Sequence, residues 1–310
     1  MKKSLIAVPI GDPAGVGPEI VAKAVASKEV ADVAGCIIVG DKTIVENAIK
    51  ITGADLRVHV INEPKEGDFR EGILNLIDLG NVDMAGFEFG KVNGMCGKAA
   101  YEYIAKSIEL ANDGKVDAVA TTPINKESLR AGGINYIGHT EIFGALTGTE
   151  DPLTMFETNG MRVFFLTRHV SLREMLDMIT KERIKDYVKR CLEALKRLGV
   201  TDGTMAIAGL NPHSGEHGLF GWEEVNEITP AVEELKAEGY DVVGLLGRTR
   251  SSIRQPWASI TAYCPSIMIR GILQRKPLTL KERLRLLMEC RSFGHLWIME
   301  QRLILPEKEL

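Results

Sequence analysis

Short apolar runs that stop at a glycine or a threonine alternate along this chain with stretches of helical periodicity. That alternation restricts the fold more than any other feature of the sequence. Residues 5–10, 36–39, 116–120, 162–166, 205–208 and 241–246 read as strands, and residues 20–25, 98–111, 184–198 and 223–237 carry apolar side chains at helical spacing. Strands that take turns with helices imply βαβ units, a parallel sheet and an α/β fold. In such folds ligands collect beyond the carboxyl ends of the strands, so residues directly after each run are the candidates for function.

The chain has 310 residues, 45% of them apolar, which suits two lobes or one large α/β domain. A net charge of −4 gives no electrostatic reason to expect a nucleic-acid partner. No stretch approaches the roughly 18 continuous apolar residues of a membrane span. The N-terminal Met-Lys-Lys and its apolar run stop at Gly11-Asp12 without a small-residue cleavage pattern, so the run reads as a first strand and not as a signal peptide. Five scattered cysteines with no CxxC pair argue against a disulfide framework or a zinc–cysteine site, and a reducing cytoplasm is the default compartment.

Four segments could carry chemistry. Gly11-Asp12-Pro13-Ala14-Gly15-Val16-Gly17-Pro18-Glu19 joins a strand to a helix. It is not a Rossmann fingerprint, because its spacing differs and a proline follows the last glycine. It reads either as backbone N–H groups approaching an anion at a helix N-terminus or as a tight turn with Pro18 in the first helical turn. Gly138-His139-Thr140-Glu141 offers two neighbouring donors to a phosphate, or an N-cap by Thr140 among ordinary polar residues. His169 and His213, the latter in Asn211-Pro212-His213-Ser214-Gly215-Glu216, follow two different strands. Strand-end imidazoles on one sheet edge can share a divalent cation, and a third ligand should then exist; each histidine taken alone reads as structural. His59 in a strand, His217 in a solvated loop, Lys126 on the surface and the mixed charges of residues 181–197 read as structural.

Five segments, GDPAGVGPEI from Gly11, TTPINK from Thr121, GHTE from Gly138, TRHVSLRE from Thr167 and GLNPHSGE from Gly209, stand in an order and spacing that resemble the 4-hydroxythreonine-4-phosphate dehydrogenase family, including its threonate 4-phosphate branch. The resemblance covers residues 4–247. It implies a two-lobed α/β/α fold of the isocitrate/isopropylmalate dehydrogenase-like type, with a first α/β lobe at 1–130, a second lobe at 131–247 carrying metal and substrate residues, and a homodimeric assembly. It implies that His139 and Thr140 bind substrate and that His169 and His213 are two of three histidine ligands of a divalent metal of the Zn, Mg, Co or Mn type. The implied activity is NAD-dependent oxidation of a small 4-phosphorylated 3-hydroxy acid, followed by metal-assisted decarboxylation. The acid is 4-phosphooxy-threonine or threonate 4-phosphate, and the motifs do not separate the two.

The family's later motifs, a YHDQGH-type segment with the third histidine and a DHGTAFD-type segment, are missing. From Arg248 onward the chain has no valine, no aspartate and nine arginines, as many as the preceding 247 residues. Back-translated with suitable codons and read after skipping two nucleotides, residues 267–274 give His-Asp-Gln-Gly-His-Ile-Ala, and residues 295–303 give Ser-Val-Asp-His-Gly-Thr-Ala-Phe-Asp. Both motifs emerge in one frame and in the family order, so residues 248–310 read as an aberrant tail created by a frameshift near Gly247. The tail's residues 278–288 form a basic amphipathic helix in this reading. The expected consequences are lost closing strands and impaired activity. The competing reading is a non-catalytic, decayed product.

Overall fold

The computed structural model describes residues 3–158, 161–246 and 260–264. Two compact units divide at Pro152/Leu153.

Unit 1 is built on five strands: β1 (Ser4–Pro9), β2 (Ala34–Gly40), β3 (Arg57–Val60), β4 (Ile73–Asp78) and β5 (Ala118–Val119). They lie in the order β3-β4-β2-β1-β5, all parallel. The connections carry α1 (Gly17–Val25), α2 (Lys28–Ala31), α3 (Lys42–Thr52) and α4 (Gly94–Asn112), and α5 (Lys126–Ala131) and α6 (His139–Thr147) follow β5. Both faces of the sheet are covered, so the central strands are continuously apolar and carry no alternation; Ile37, Ile38, Val39, Leu74 and Leu76 have no measurable exposure. The helices start where capping predicts. Asp41 accepts from the Thr43 and Ile44 amides, and Asn93 and Asn125 do the same for α4 and α5. Gly97 lets α4 meet α5 at backbone distance, since a Cβ there would lie 2.0 Å from the Ser128 carbonyl oxygen.

Unit 2 holds β6 (Met155–Thr158), β7 (Met161–Phe165), β8 (Thr204–Ala208), β9 (Val242–Leu246) and β10 (Ile260–Cys264), in the order β6-β7-β10-β8-β9. Helices α7 (Leu172–Asp177), α8 (Lys181–Arg197) and α9 (Thr229–Ala237) belong to the same unit. Strands β7, β10, β8 and β9 are parallel, and β6 runs antiparallel to β7. Too few residues separate β6 from β7 for a crossover, so the hairpin arrangement is the one open to them.

The structure departs from the sequence reading in three places. The expected boundary at 130/131 falls at the end of α5, because α5 and α6 pack on α4 and stay with unit 1. His139 and Thr140 therefore belong to the first unit, not to the second. The tail was expected to remove strands that close the lobes, yet its residues 260–264 form the middle strand of the second sheet; a run of Ile-Thr-Ala-Tyr-Cys suits a strand. The expected helix at 278–288 lies outside the described residues. Thirdly, the helix read at 223–237 opens with a π-turn at Glu224–Ile228 before α9 begins.

One side of α8 is not simply solvated. Lys181 and Lys185 both donate to Glu234 of α9, and Lys185 and Lys189 pair with Glu238. The two lysines hold the Glu234 carboxyl down at about 2 from an ordinary 4.5. A carboxyl depressed in the folded state stabilises above its unfolded pKa, and that contribution fades as pH falls toward the folded value. Glu234→Gln should therefore melt slightly below wild type at pH 7, and the gap should close as pH drops from 4.5 toward 2. Thermal melts of both proteins across that range measure it; a gap independent of pH contradicts the assignment.

Candidate functional site

Unit 1 presents His139 and Thr140 in the first turn of α6. The N-cap is Gly138, whose extended backbone offers no side chain, so Thr140 does not cap the helix as one sequence reading had it. Thr140 instead occupies the second helical position, 4% exposed. Its hydroxyl has no hydrogen-bond partner among the described atoms. A buried hydroxyl left alone costs on the order of 1–3 kcal/mol. It sits in the first turn of α6, where the backbone dipoles favour an anion. His139, half-buried, precedes it directly. Two side-chain donors and a helix start form a cradle suited to a phosphoryl or carboxylate group.

Unit 2 carries the other two histidines. His169 stands four residues after β7, and His213 five residues after β8. Because β7, β10 and β8 are parallel, both loops leave the same edge of the sheet with one strand between them. Two strand spacings make about 10 Å at the sheet, a gap two imidazoles and a shared cation can close. Both side chains are exposed. Both residues also have left-handed backbones, φ 52° at His169 and 53° at His213. For non-glycine residues this conformation is uncommon and costs roughly 1–2 kcal/mol each. Such strain clusters at functional sites, where surrounding contacts over-determine it.

Those contacts can be named. After His169, Ser171 and Glu174 form a reciprocal capping box that starts α7. The bonds from the Ser171 amide and hydroxyl hold the Glu174 carboxyl below its ordinary range. Before it, Arg183 of α8 donates to the Leu166 carbonyl at 3.1 Å. The His213 loop is more extreme: residues 213–217 are all left-handed, with φ between 43° and 77°. Gly209 lets the turn fold back, as a Cβ there would lie 2.5 Å from the Ser214 hydroxyl. Glu224, 1% exposed, closes it from beneath.

A divalent cation fits this donor set in part. Imidazole nitrogen suits zinc, cobalt and their neighbours, but two ligands fall short of the four that zinc takes. Among the described residues no group of three or more His, Cys, Asp and Glu is arranged to hold a metal. Cys36 and Cys96 lie in unit 1, where burial pushes both thiols up to about 11. The family's third histidine, in a YHDQGH-type segment, has no counterpart in this sequence.

The glycine-rich segment proves to be a packing motif. Gly11 has φ +73°, and a Cβ there would lie 2.3 Å from the Pro123 carbonyl; one at Gly17 would lie 2.1 Å from the Ile10 carbonyl. The Asp12 amide donates to Pro123, and the Thr122 hydroxyl donates to the Pro9 carbonyl at 2.9 Å. The GDPAGVGPEI and TTPINK segments thus clamp each other at the end of β1 and β5, and the glycines are explained without a nucleotide. Asp12 is buried there; desolvation raises its pKa, against hydrogen bonds from the Ala14 amide and the Ser128 side chain. The sequence reading gave it no role. Among the other candidates, His59 is structural, its ring at 3.3 Å from the Glu66 carbonyl. Lys126 is exposed at the start of α5.

The chain's relatives are dehydrogenases, which makes the class that of an oxidoreductase. The chain belongs to the family described as pyridoxal phosphate biosynthetic protein PdxA, whose model matches residues 32–248. A relative from Fusobacterium nucleatum, named "Putative D-threonate 4-phosphate dehydrogenase", is 64% identical over 245 residues, which is 79% of this chain and 74% of the relative. A solved 4-hydroxythreonine-4-phosphate dehydrogenase from Burkholderia phymatum shares 29% identity with a TM-score of 0.78, covering 95% of each chain. The same enzyme from Klebsiella pneumoniae shares 34% identity with a TM-score of 0.75, covering 84% of this chain and 80% of its own.

The unpartnered hydroxyl makes a stability prediction. Thr140→Val removes a buried group that lacks a bond and should stabilise the protein by about 1 kcal/mol, whereas Thr122→Val breaks a made bond and should cost about 1 kcal/mol. Denaturant unfolding of both variants tests the contrast. A destabilised Thr140→Val protein would mean that the hydroxyl has a structural partner.

Proposed function

We propose that the protein is built to oxidise D-threonate 4-phosphate, or a closely similar 4-phosphorylated 3-hydroxy acid, with NAD as hydride acceptor. The observation that carries this reading is the Thr140 hydroxyl, buried without a partner beside His139 at a helix N-terminus, which suits the substrate's phosphate. The threonate branch is favoured over 4-phosphooxy-threonine by the higher identity to relatives named for it. His139 and Thr140 would grip the phosphoryl group, using binding energy away from the reacting carbon to orient it. His169 and His213 would contribute two ligands to a divalent cation. Such a cation supplies Lewis acidity toward the substrate hydroxyl and the charge that develops as carbon dioxide leaves. Removing hydride from the hydroxyl-bearing carbon gives a β-keto acid, and that product loses carbon dioxide readily. NAD supplies the redox step, and the protein supplies geometry and electrostatics. On this reading the two units are lobes of the isocitrate/isopropylmalate dehydrogenase-like type and the assembly is a cytoplasmic homodimer.

A second reading has an observation of its own. The family match stops at residue 248, where the composition changes, and this supports a frameshift that leaves the chain impaired. Both readings are tested by assaying NADH formation from D-threonate 4-phosphate and 4-phosphooxy-threonine in parallel, with equilibrium binding of each. Binding of D-threonate 4-phosphate should be at least tenfold tighter than that of the threonine analogue. It should weaken about 10- to 100-fold in His139→Ala or Thr140→Val, as expected for loss of a charge-assisted bond. Turnover should be low. Binding of neither acid would sink the substrate assignment, and rapid turnover of NAD would sink the impairment.

A further inference from the structure

Glu224 is a buried carboxylate with no place in the chemistry above. Its Oε1 accepts from two successive backbone amides, Leu210 at 2.8 Å and Asn211 at 2.6 Å, and its Oε2 accepts from the Asn211 side-chain amide at 2.9 Å. The same Asn211 amide also donates to Glu223 at 2.7 Å. Asn211 in turn accepts from the Ser214 amide, which fixes the first residues of the left-handed turn. From the other side the turn presses on the carboxylate, for a Cβ on Gly215 would lie 2.7 Å from Glu224 Oε2. Four non-glycine residues in a row of five left-handed positions do not hold that shape unaided. An acceptor taking three bonds, two from consecutive amides, restrains the loop directly.

We propose that Glu224 is a positioning residue. Its carboxylate locks the turn 209–217 so that the His213 imidazole is presented at the strand edge, already arranged for a cation. Glu224 itself touches neither cation nor substrate. This rests on the reading of His213 as a metal ligand. The glutamine variant is informative: its neutral carbonyl accepts more weakly from the two backbone amides, and its amino group faces the Asn211 amino group, donor against donor. Flipping Asn211 to relieve that conflict turns its oxygen onto Glu223. The restraint fails without a change of volume.

The test uses the full chain, with Co(II) as the metal probe. Amide hydrogen exchange is followed in the metal-free protein, and Co(II) affinity is followed by the visible absorption of the bound ion. In Glu224→Gln, protection of the Leu210 and Asn211 amides should fall at least tenfold while the amides of residues 205–207 in β8 keep theirs. The Co(II) dissociation constant should rise at least tenfold. Gly215→Ala attacks the same contact from the turn and should reproduce both effects if the glutamine variant does not fold. Unchanged exchange at 210 and 211 overturns the proposal, as does a loss of protection spread equally through β8, which would mark a merely structural acid. His213→Ala separates the underlying assumption. If it binds Co(II) as wild type does, the ligand reading fails, and the exchange data alone decide whether Glu224 holds the turn.

Discussion

The shared direction of β7, β10 and β8 is the constraint on which the metal reading depends. In parallel strands all carboxyl ends lie at one edge, so two loops that follow different strands are brought to the same side whatever their sequences. Were β8 antiparallel, His213 would leave the opposite edge and no rearrangement of its loop could return it. Direction alone gives coarse placement. The finer placement comes from strained backbones, at His169 and through residues 213–217, and each is held by bonds from its own unit. The cost of that strain is offset locally by a capping box on one side and a buried carboxylate on the other.

Unit 1 follows a different logic. Its most conspicuous sequence feature, the glycine-rich run after β1, is consumed by a close approach of two loops. Gly11 and Gly17 are small because carbonyl oxygens of Pro123 and Ile10 occupy the space a side chain would need. The chemically poised group lies elsewhere, in a turn that looks ordinary. Thr140 is buried at a helix start and its hydroxyl has no partner, which is an unstable arrangement for a purely structural residue. An anion bound there would satisfy the hydroxyl.

Much of the architecture was legible in the sequence because burial on both faces makes strands into apolar runs. The stretch 36–39 and the stretch 205–208 announce themselves that way, as does α4 through its periodicity. β4 did not, since Asn75 interrupts Ile73–Asp78; its side chain is buried and exchanges two hydrogen bonds with Asp68, a tertiary compensation invisible from local pattern. The antiparallel β6 was missed for want of a distinguishing period in four residues. His169 and His213 stood out as candidates because they follow strands. Glu224 was not found: an acid in a helix of mixed charge reads as solvated, and only the fold shows the Leu210 and Asn211 amides pointing at it. The tail misled in the other direction, because its altered composition hid a short segment able to fill the gap between β7 and β8.

X-ray absorption at the zinc edge, on the full chain loaded with one equivalent of Zn(II), addresses the pairing of the two imidazoles most directly. Scattering from at least two imidazole rings around a single zinc is predicted, with one ring lost in His169→Ala and one in His213→Ala. A spectrum without imidazole scattering, or one that neither substitution alters, would contradict the account.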